Sequence, residues 1–255
     1  MQNALYVGLS RQIALHREMD VIANNLANMD TNGFKADGVT FEEYLATKAR
    51  VDRAAPADQR VAFVRESGSI TDFSQGTLQQ TGGALDLAIR GDGYFVVDTP
   101  QGERYTRNGS FSLNDKGELV NAQGYRVRGQ NGPLQFDQQD NSITFAREGT
   151  ITAINGNQNQ VIERGKIRLV RFDNQNALVR EGNGLYSAGG QAPQNVKETT
   201  SIVQGSLEKS NVNPIIEMSR MLEVMRAYQS LSSMMTKTDD LRKTAIDKLA
   251  STPTA

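Results

Sequence analysis

The 255 residues carry 28 Lys and Arg against 29 Asp and Glu, a net charge of −1 with both signs interspersed. That balance excludes the basic footprint that nucleic acid requires, and no like-charged block marks an electrostatic tail. Hydrophobic content is 38% and mean hydropathy −0.50, so part of the chain is expected to lean on neighbours, and the absence of cysteine excludes disulfides, thiolate catalysis and zinc–thiolate sites.

The first predicted element is a helix over residues 3–28. It contains no proline, and Leu15, Met19, Ile22, Leu26 and Met29 recur at steps of three and four. Asn32-Gly33 offers a left-handed residue to end it, with Phe34 able to fold back on the last turn. The stretch before Arg11 is broken by Tyr6 and Gly8, which reads as no secretory signal, and no run approaches the roughly 18 apolar residues of a membrane span. Residues 35–80 read as a connector or interaction segment, with a short helix over residues 41–49 and a polar stretch around Pro56.

From Leu85 the pattern is that of strands. Residues 85–90 alternate, Gly91-Asp92-Gly93 reads as a hairpin turn, and Tyr94-Phe95-Val96-Val97 forms the return. Turn signals then recur at Gln101-Gly102, Asn108-Gly109, Lys116-Gly117, Gln123-Gly124, Asn131-Gly132 and Asn155-Gly156, which predicts an antiparallel all-β domain ending near residues 202–207. Further strands are expected at residues 167–172, 177–180 and 185–186.

Asn213-Pro214 opens the last helix, an N-cap followed by a proline where its missing N–H is harmless. No Pro or Gly follows until Pro253, so a helix over residues 214–250 is expected, roughly 55 Å long at 1.5 Å per residue. Its stripe is read as Met218, Met221, Met225, Tyr228, Leu231 and Met235, with Leu222 beside it. The fold class is therefore mixed α and β. Long N- and C-terminal helices, natural partners for each other or for copies in adjacent subunits, are expected to pair as a coiled-coil-like domain (1–34 plus 208–255), a connector spans 35–80, and a β domain is inserted at 81–207. Helices without a local partner are expected to stay loose until neighbouring subunits cover them.

Three segments carry a resemblance. Ile22-Ala23-Asn24-Asn25-Leu26-Ala27-Asn28-Met29-Asp30-Thr31-Asn32-Gly33-Phe34-Lys35 resembles the N-terminal signature of the rod and hook proteins of the bacterial flagellum. Residues 87–97 with Tyr105-Thr106-Arg107-Asn108-Gly109-Ser110-Phe111 are similar to their central β motif. Gly205-Ser206-Leu207-Glu208-Lys209-Ser210-Asn211-Val212-Asn213, followed by Arg226-Ala227-Tyr228-Gln229, is similar to their C-terminal motif. The opening, residues 214–218 and the tail 241–249 resemble proximal-rod members; distal-rod members are similar in length and motifs.

The resemblance implies a structural subunit of the proximal rod that polymerises into a periplasmic drive shaft transmitting torque. It implies export without a cleaved signal by the flagellar type III apparatus. The implied partners are other copies of the chain, the other proximal rod proteins and the distal rod protein, with no cofactor, metal, nucleic acid, membrane insertion or small-molecule substrate. It implies an assembly interface at Leu15, Met19, Ile22, Asn24, Asn25, Leu26, Asn28, Gly33 and Phe34. A second lies at Leu207, Glu208, Ser210, Asn211, Val212 and the helix residues Met218, Met221, Leu222, Met225, Arg226, Tyr228, Leu231 and Met235. Gly91, Asp92, Gly93, Tyr94 and Phe95 form the β turn motif.

Catalytic readings are weak beside this. Gly91-Asp92-Gly93 lacks the other glycines of a nucleotide loop. Asp30-Thr31-Asn32-Gly33 fails as a calcium loop, because Phe34 and Phe41 fall where ligands belong. His16 is the lone histidine and no G-x-S-x-G accompanies it. The acidic pairs Glu42-Glu43, Asp137/Asp140 and Asp239-Asp240 read as solvated faces. Asn24, Asn25 and Asn28, at the end of the first helix, read either as a frayed helix end or as amides fixing register across helices. A wall-binding or wall-active β domain is the rival from another class.

Overall fold

The computed structural model describes residues 2–46, 61–155, 160–197 and 199–250, and the chain divides into two contact units. The first holds residues 1–27, 37–71 and 213–255; the second holds 28–36 and 72–212. The division expected from sequence placed 28–34 and 208–212 with the helices and 35–80 apart. In the structure the first two segments belong with the β unit, and 35–80 is shared out between the units.

In the helical unit, α1 spans Gln2–Ala27 and α2 spans Pro214–Ala250. Asn213 caps α2: its Oδ1 accepts the Ile215 N–H (3.1 Å) and the Ile216 N–H (3.4 Å). Leu15 and Ile22 of α1 and Val224 of α2 form a buried core, with Met19, Met221, Tyr228 and Leu231 packed around it. Each fully buried aliphatic side chain of this kind contributes about 1.5–3 kcal/mol. The helices are thus already one another's partner, and the expectation of two unpartnered ends is corrected. The covered positions on α2 are Glu217, Met221, Val224, Tyr228, Leu231 and Met235, alternating steps of four and three. Gly8 lets α1 come close to Met235, whose Sδ would sit 3.3 Å from an added Cβ.

Beside the helices, strands β1 (Asp37–Ala46) and β2 (Val61–Thr71) pair antiparallel from Asp37↔Thr71 to Ala46↔Val61, with a bulge after Thr40. The helix expected at 41–49 is a strand wherever described, and 47–49 lie outside the described residues. A distant β-rich stretch supplies ladder partners along the whole strand.

The β unit contains β3 (Leu78–Gln80), β4 (Leu87–Arg90), β5 (Tyr94–Thr99) and β6 (Gly102–Thr106). Its largest sheet runs, in order, Val179–Gly182, Leu185–Ser187, β6, β5, Arg126–Gly129, Leu119–Asn121 and Phe111–Leu113. Every strand pairing among the described residues is antiparallel. β5 is central and buried on both faces. Phe95 and Val97 join one core with Leu87, Ile89, Leu119 and Ile151, while Tyr94 and Val96 join another with Tyr105, Phe172 and Tyr186. That explains why Tyr94 to Val97 reads as an unbroken apolar run although its side chains alternate.

The hairpin expected at Gly91-Asp92-Gly93 is not formed. β4 pairs with Ser201–Gln204, and β5 pairs with β6 and Arg126–Gly129, so this turn carries the chain from one sheet to another. The expected strand at 177–180 begins as a 3₁₀ turn, Gln175–Ala177, before Val179–Gly182. β3 pairs with Ser206–Glu208, bringing the chain back to the edge where residues 28–36 lie.

Candidate functional site

The three motifs meet inside the β unit, at one carboxylate. Glu208 ends the strand Ser206–Glu208, and its side chain is fully buried. Lys35 Nζ donates to Glu208 Oε1 at 2.5 Å and to the Ser74 carbonyl at 2.7 Å. The Gly76 N–H donates to the same Oε1 at 3.0 Å, and Arg107 Nη1 reaches Oε2 at 3.4 Å. Arg107 also donates to the carbonyl of Gly91 at 3.0 Å and lies over the Tyr94 ring, 5.1 Å from its centroid. Lys35 has no exposed side-chain surface and Arg107 only 2%. Burial pushes the Lys35 ammonium below its ordinary value, and the Glu208 charge opposes that shift. Burial likewise raises the Tyr94 phenol.

Backbone bonds and two glycines complete the junction. The Gly33 N–H donates to the Glu208 carbonyl at 2.7 Å. Gly33 has φ +70°, and a Cβ there would stand 2.5 Å from the Asn108 nitrogen. α1 ends at Ala27, so Gly33 serves this close approach and is not the helix cap expected of it. A Cβ on Gly76 would lie 2.0 Å from the Lys209 carbonyl oxygen. Phe34 is buried beneath the Arg180 guanidinium, 4.6 Å away, and Arg180 also donates to the Lys35 carbonyl at 2.6 Å. Asn211 accepts the Ala36 N–H at 2.8 Å and donates to the Asp72 carbonyl at 2.8 Å. Ser210 Oγ accepts the Val212 N–H (3.2 Å), while Leu207 and Val212 are buried. Asp92 contributes its carbonyl, which accepts the Thr200 hydroxyl at 2.9 Å.

In the helical unit, Asn25 is buried and works within the chain. Its amide donates to the Asp37 carbonyl at 2.8 Å and to Glu217 Oε2 at 3.3 Å, and its Oδ1 accepts the Asp37 N–H at 2.9 Å. Asn24 is exposed, and Asn28 turns the chain by accepting the Thr31 hydroxyl at 3.1 Å. Asn25 thus reaches from α1 to α2 within one chain, through Glu217, with its other bonds on the Asp37 backbone.

The expected α2 stripe splits in two. Met221, Tyr228, Leu231 and Met235 face α1 together with Val224, which the reading missed. Met218, Leu222 and Met225 are 48%, 55% and 41% exposed and form a second stripe beside the covered one, and Arg226 is exposed as well. On α1, Leu15 and Ile22 are inside, Met19 and Leu26 half-buried, and Tyr6, Leu9 and Ile13 exposed. Leu9, Ile13, His16, Asp20 and Tyr228 line an open groove of about 400 Å³, in which His16 Nδ1 stands 3.2 Å from Asp20. Lys35 and Arg107 were also missed as a pair. Each sits inside a quoted motif, but nothing in a single sequence says that two cations share one distant glutamate. Among the described residues no group of three or more His, Cys, Asp or Glu could hold a metal, and no helix is long and apolar enough to cross a membrane.

Comparison with known proteins agrees with the three-motif organisation. Residues 5–35 match the family described as flagella basal body rod protein, 88–153 the flagellar hook protein FlgE/F/G D1 domain, and 203–248 the flagellar basal body rod FlgEFG protein C-terminal region. The chain is 40% identical over 252 residues to the flagellar basal-body rod protein FlgF of Caulobacter vibrioides, covering 98% of each chain. It is 36% identical to FlgF of Mesorhizobium japonicum over 98% of this chain and 99% of that one. It is 33% identical to the flagellar basal-body rod protein FlgG of Bacillus subtilis over 94% and 97%. With matched segments at both ends and in the β unit, and relatives aligned over nearly their whole length, the chain belongs to the flagellar basal-body rod protein family.

Proposed function

We propose that the chain is a structural subunit of the proximal part of the flagellar rod, polymerising into the periplasmic shaft that passes motor torque outward. The observation that carries a structural role is the second apolar stripe on α2, Met218, Leu222 and Met225, left uncovered beside a seam that α1 already fills. A soluble monomer gains nothing from such a stripe, whereas a subunit packed by helices from neighbouring copies covers it. The four-three spacing of the covered positions suits coiled-coil packing within the subunit. Head-to-tail contacts whose rotation does not close generate a helical tube. Similarity to FlgF at 36–40% identity supports the proximal position.

In this reading the subunit has no catalytic activity and travels through the flagellar type III export apparatus without a cleaved signal. It contacts its own copies, the other proximal rod proteins and the distal rod protein. Deleting the chain in its host and imaging isolated basal bodies tests this: rods and hooks should both be absent. Complete rods in the deletion strain refute it. Similarity to FlgG favours a second reading, a distal rod subunit, for which the deletion would leave a proximal rod stub. Co-sedimentation of the full chain with peptidoglycan tests the wall-binding rival.

A further inference from the structure

Four peptide connections join the two contact units, between residues 27 and 28, 36 and 37, 71 and 72, and 212 and 213. A single backbone strand has two soft dihedrals per residue and by itself passes twist poorly. Within the β unit, the segments that lead to these connections are bound to one another. The Asp72 N–H donates to the Ala36 carbonyl at 2.8 Å, and Asn211 bridges Ala36 and Asp72 while also donating to the Ser74 carbonyl at 3.3 Å. One step further in, Glu208 joins Lys35 and Gly76, and its carbonyl takes the Gly33 N–H. Arg107 and Arg180 tie this set to the sheet core, through Gly91, Glu208 and the Lys35 carbonyl.

We propose that Glu208 and Asn211 form a mechanical latch. It keeps the connecting segments side by side under load, so that twist entering through the helical unit reaches the β unit without peeling those segments away. The proposal rests on the rod reading for its biological setting but not for its mechanics. The Glu208 bonds are buried and charge-assisted while the Asn211 bonds are neutral and more exposed, and bonds that share a load resist it together.

Two measurements separate the latch from the rod reading. In a host lacking the chain, wild-type and Asn211→Ala alleles are compared in dilute and thickened medium. The variant should assemble rods and swim normally in dilute medium, with the motile fraction in thickened medium falling about fivefold or more below wild type. Wild-type swimming in thickened medium overturns the latch. So does failure to assemble by a variant that is folded by circular dichroism, because the segments would then serve assembly. On the purified full chain, which lacks cysteine, Asp30→Cys and Gln101→Cys provide handles at two exposed positions of the β unit. Asn211→Ala, which strands no charge, should lower the rupture force between them, and an unchanged force overturns the proposal. If the wild-type allele fails to restore motility, the rod reading falls, and the pulling result still decides the latch.

Discussion

Glu208→Leu is the perturbation with the largest expected consequence, because it leaves two buried cations without their anion. Lys35 has no exposed side-chain surface and Arg107 only 2%, and both lose Glu208, while the Gly76 N–H loses its acceptor. Breaking a buried pair from one side costs about 3–5 kcal/mol, and an orphaned N–H about 1–3 kcal/mol. The sum has a ceiling for the lysine part, since Lys35 can shed its proton. From an ordinary value of 10.5, losing that proton at pH 7 costs about 5 kcal/mol at 1.36 kcal/mol per pH unit.

That ceiling gives the variant a pH signature. With Glu208 gone, burial acts on Lys35 with only the weaker pull of the Asp72 charge against it, so its folded value falls further below the unfolded one. Between the two values the unfolded chain binds more protons, and stability therefore rises with pH. Destabilisation should be largest near neutrality and shrink by up to about 1.4 kcal/mol per unit as pH rises towards the ordinary lysine value. Hydrogen exchange of the β5 amides in wild type and variant, at several pH values, reads the loss within the β unit alone. Adding Lys35→Met to Glu208→Leu should recover part of it, with a coupling of about 1–3 kcal/mol. A loss below about 1 kcal/mol, or one without pH dependence, would refute the view of Glu208 as the counter-ion of the junction.

Four further outcomes are expected. Leu222→Asp, on the exposed stripe, should change monomer stability by less than about 0.5 kcal/mol yet abolish rod assembly, whereas Val224→Asp should unfold the helix pair; ellipticity at 222 nm and motility complementation distinguish them. Gly33→Ala should cost about 3 kcal/mol or more in thermal melting, since its φ is positive and Asn108 leaves no room for the methyl. Burial raises Asp140, but the Arg164 hydrogen bond, the Asp137 N–H and the Arg164 charge outweigh it and hold the group below the ordinary aspartate value. Its contribution is therefore present above that value and lost as pH falls through the lower folded one, and Asp140→Asn should flatten the acid limb of a melting-versus-pH curve. In amide exchange on the monomer, α1 and the first part of α2 should be protected. The end of α2, where Leu241, Ile246 and Leu249 are exposed, should exchange quickly, and uniform protection to Ala250 would contradict the helix pairing described here.

The elements that were legible in advance are those marked by short-range signals. Asn213 and Pro214 announce the start of α2, and the lack of Pro or Gly carries it to Ala250. The β-rich run of β5 and the glycine-marked turns placed most of the strands. The failures share a cause. Residues 41–46 look helical locally but pair with β2, and β4 finds its partner at Ser201–Gln204 instead of in the neighbouring β5. Pairing with distant sequence overrode local preference in both places.

The amino-acid order alone determined that two long amphipathic helices flank an antiparallel β region, and which family the chain resembles. Tertiary structure decided which of two adjacent stripes on α2 meets α1, because Met218, Leu222 and Met225 are as apolar as the residues that α1 covers. It also decided that Lys35, a residue type expected at the surface, is wholly buried against a glutamate 173 positions away. Periodicity reports which face of a helix is apolar, and charge reports what a residue needs. The partner that satisfies either is set only when the chain closes on itself.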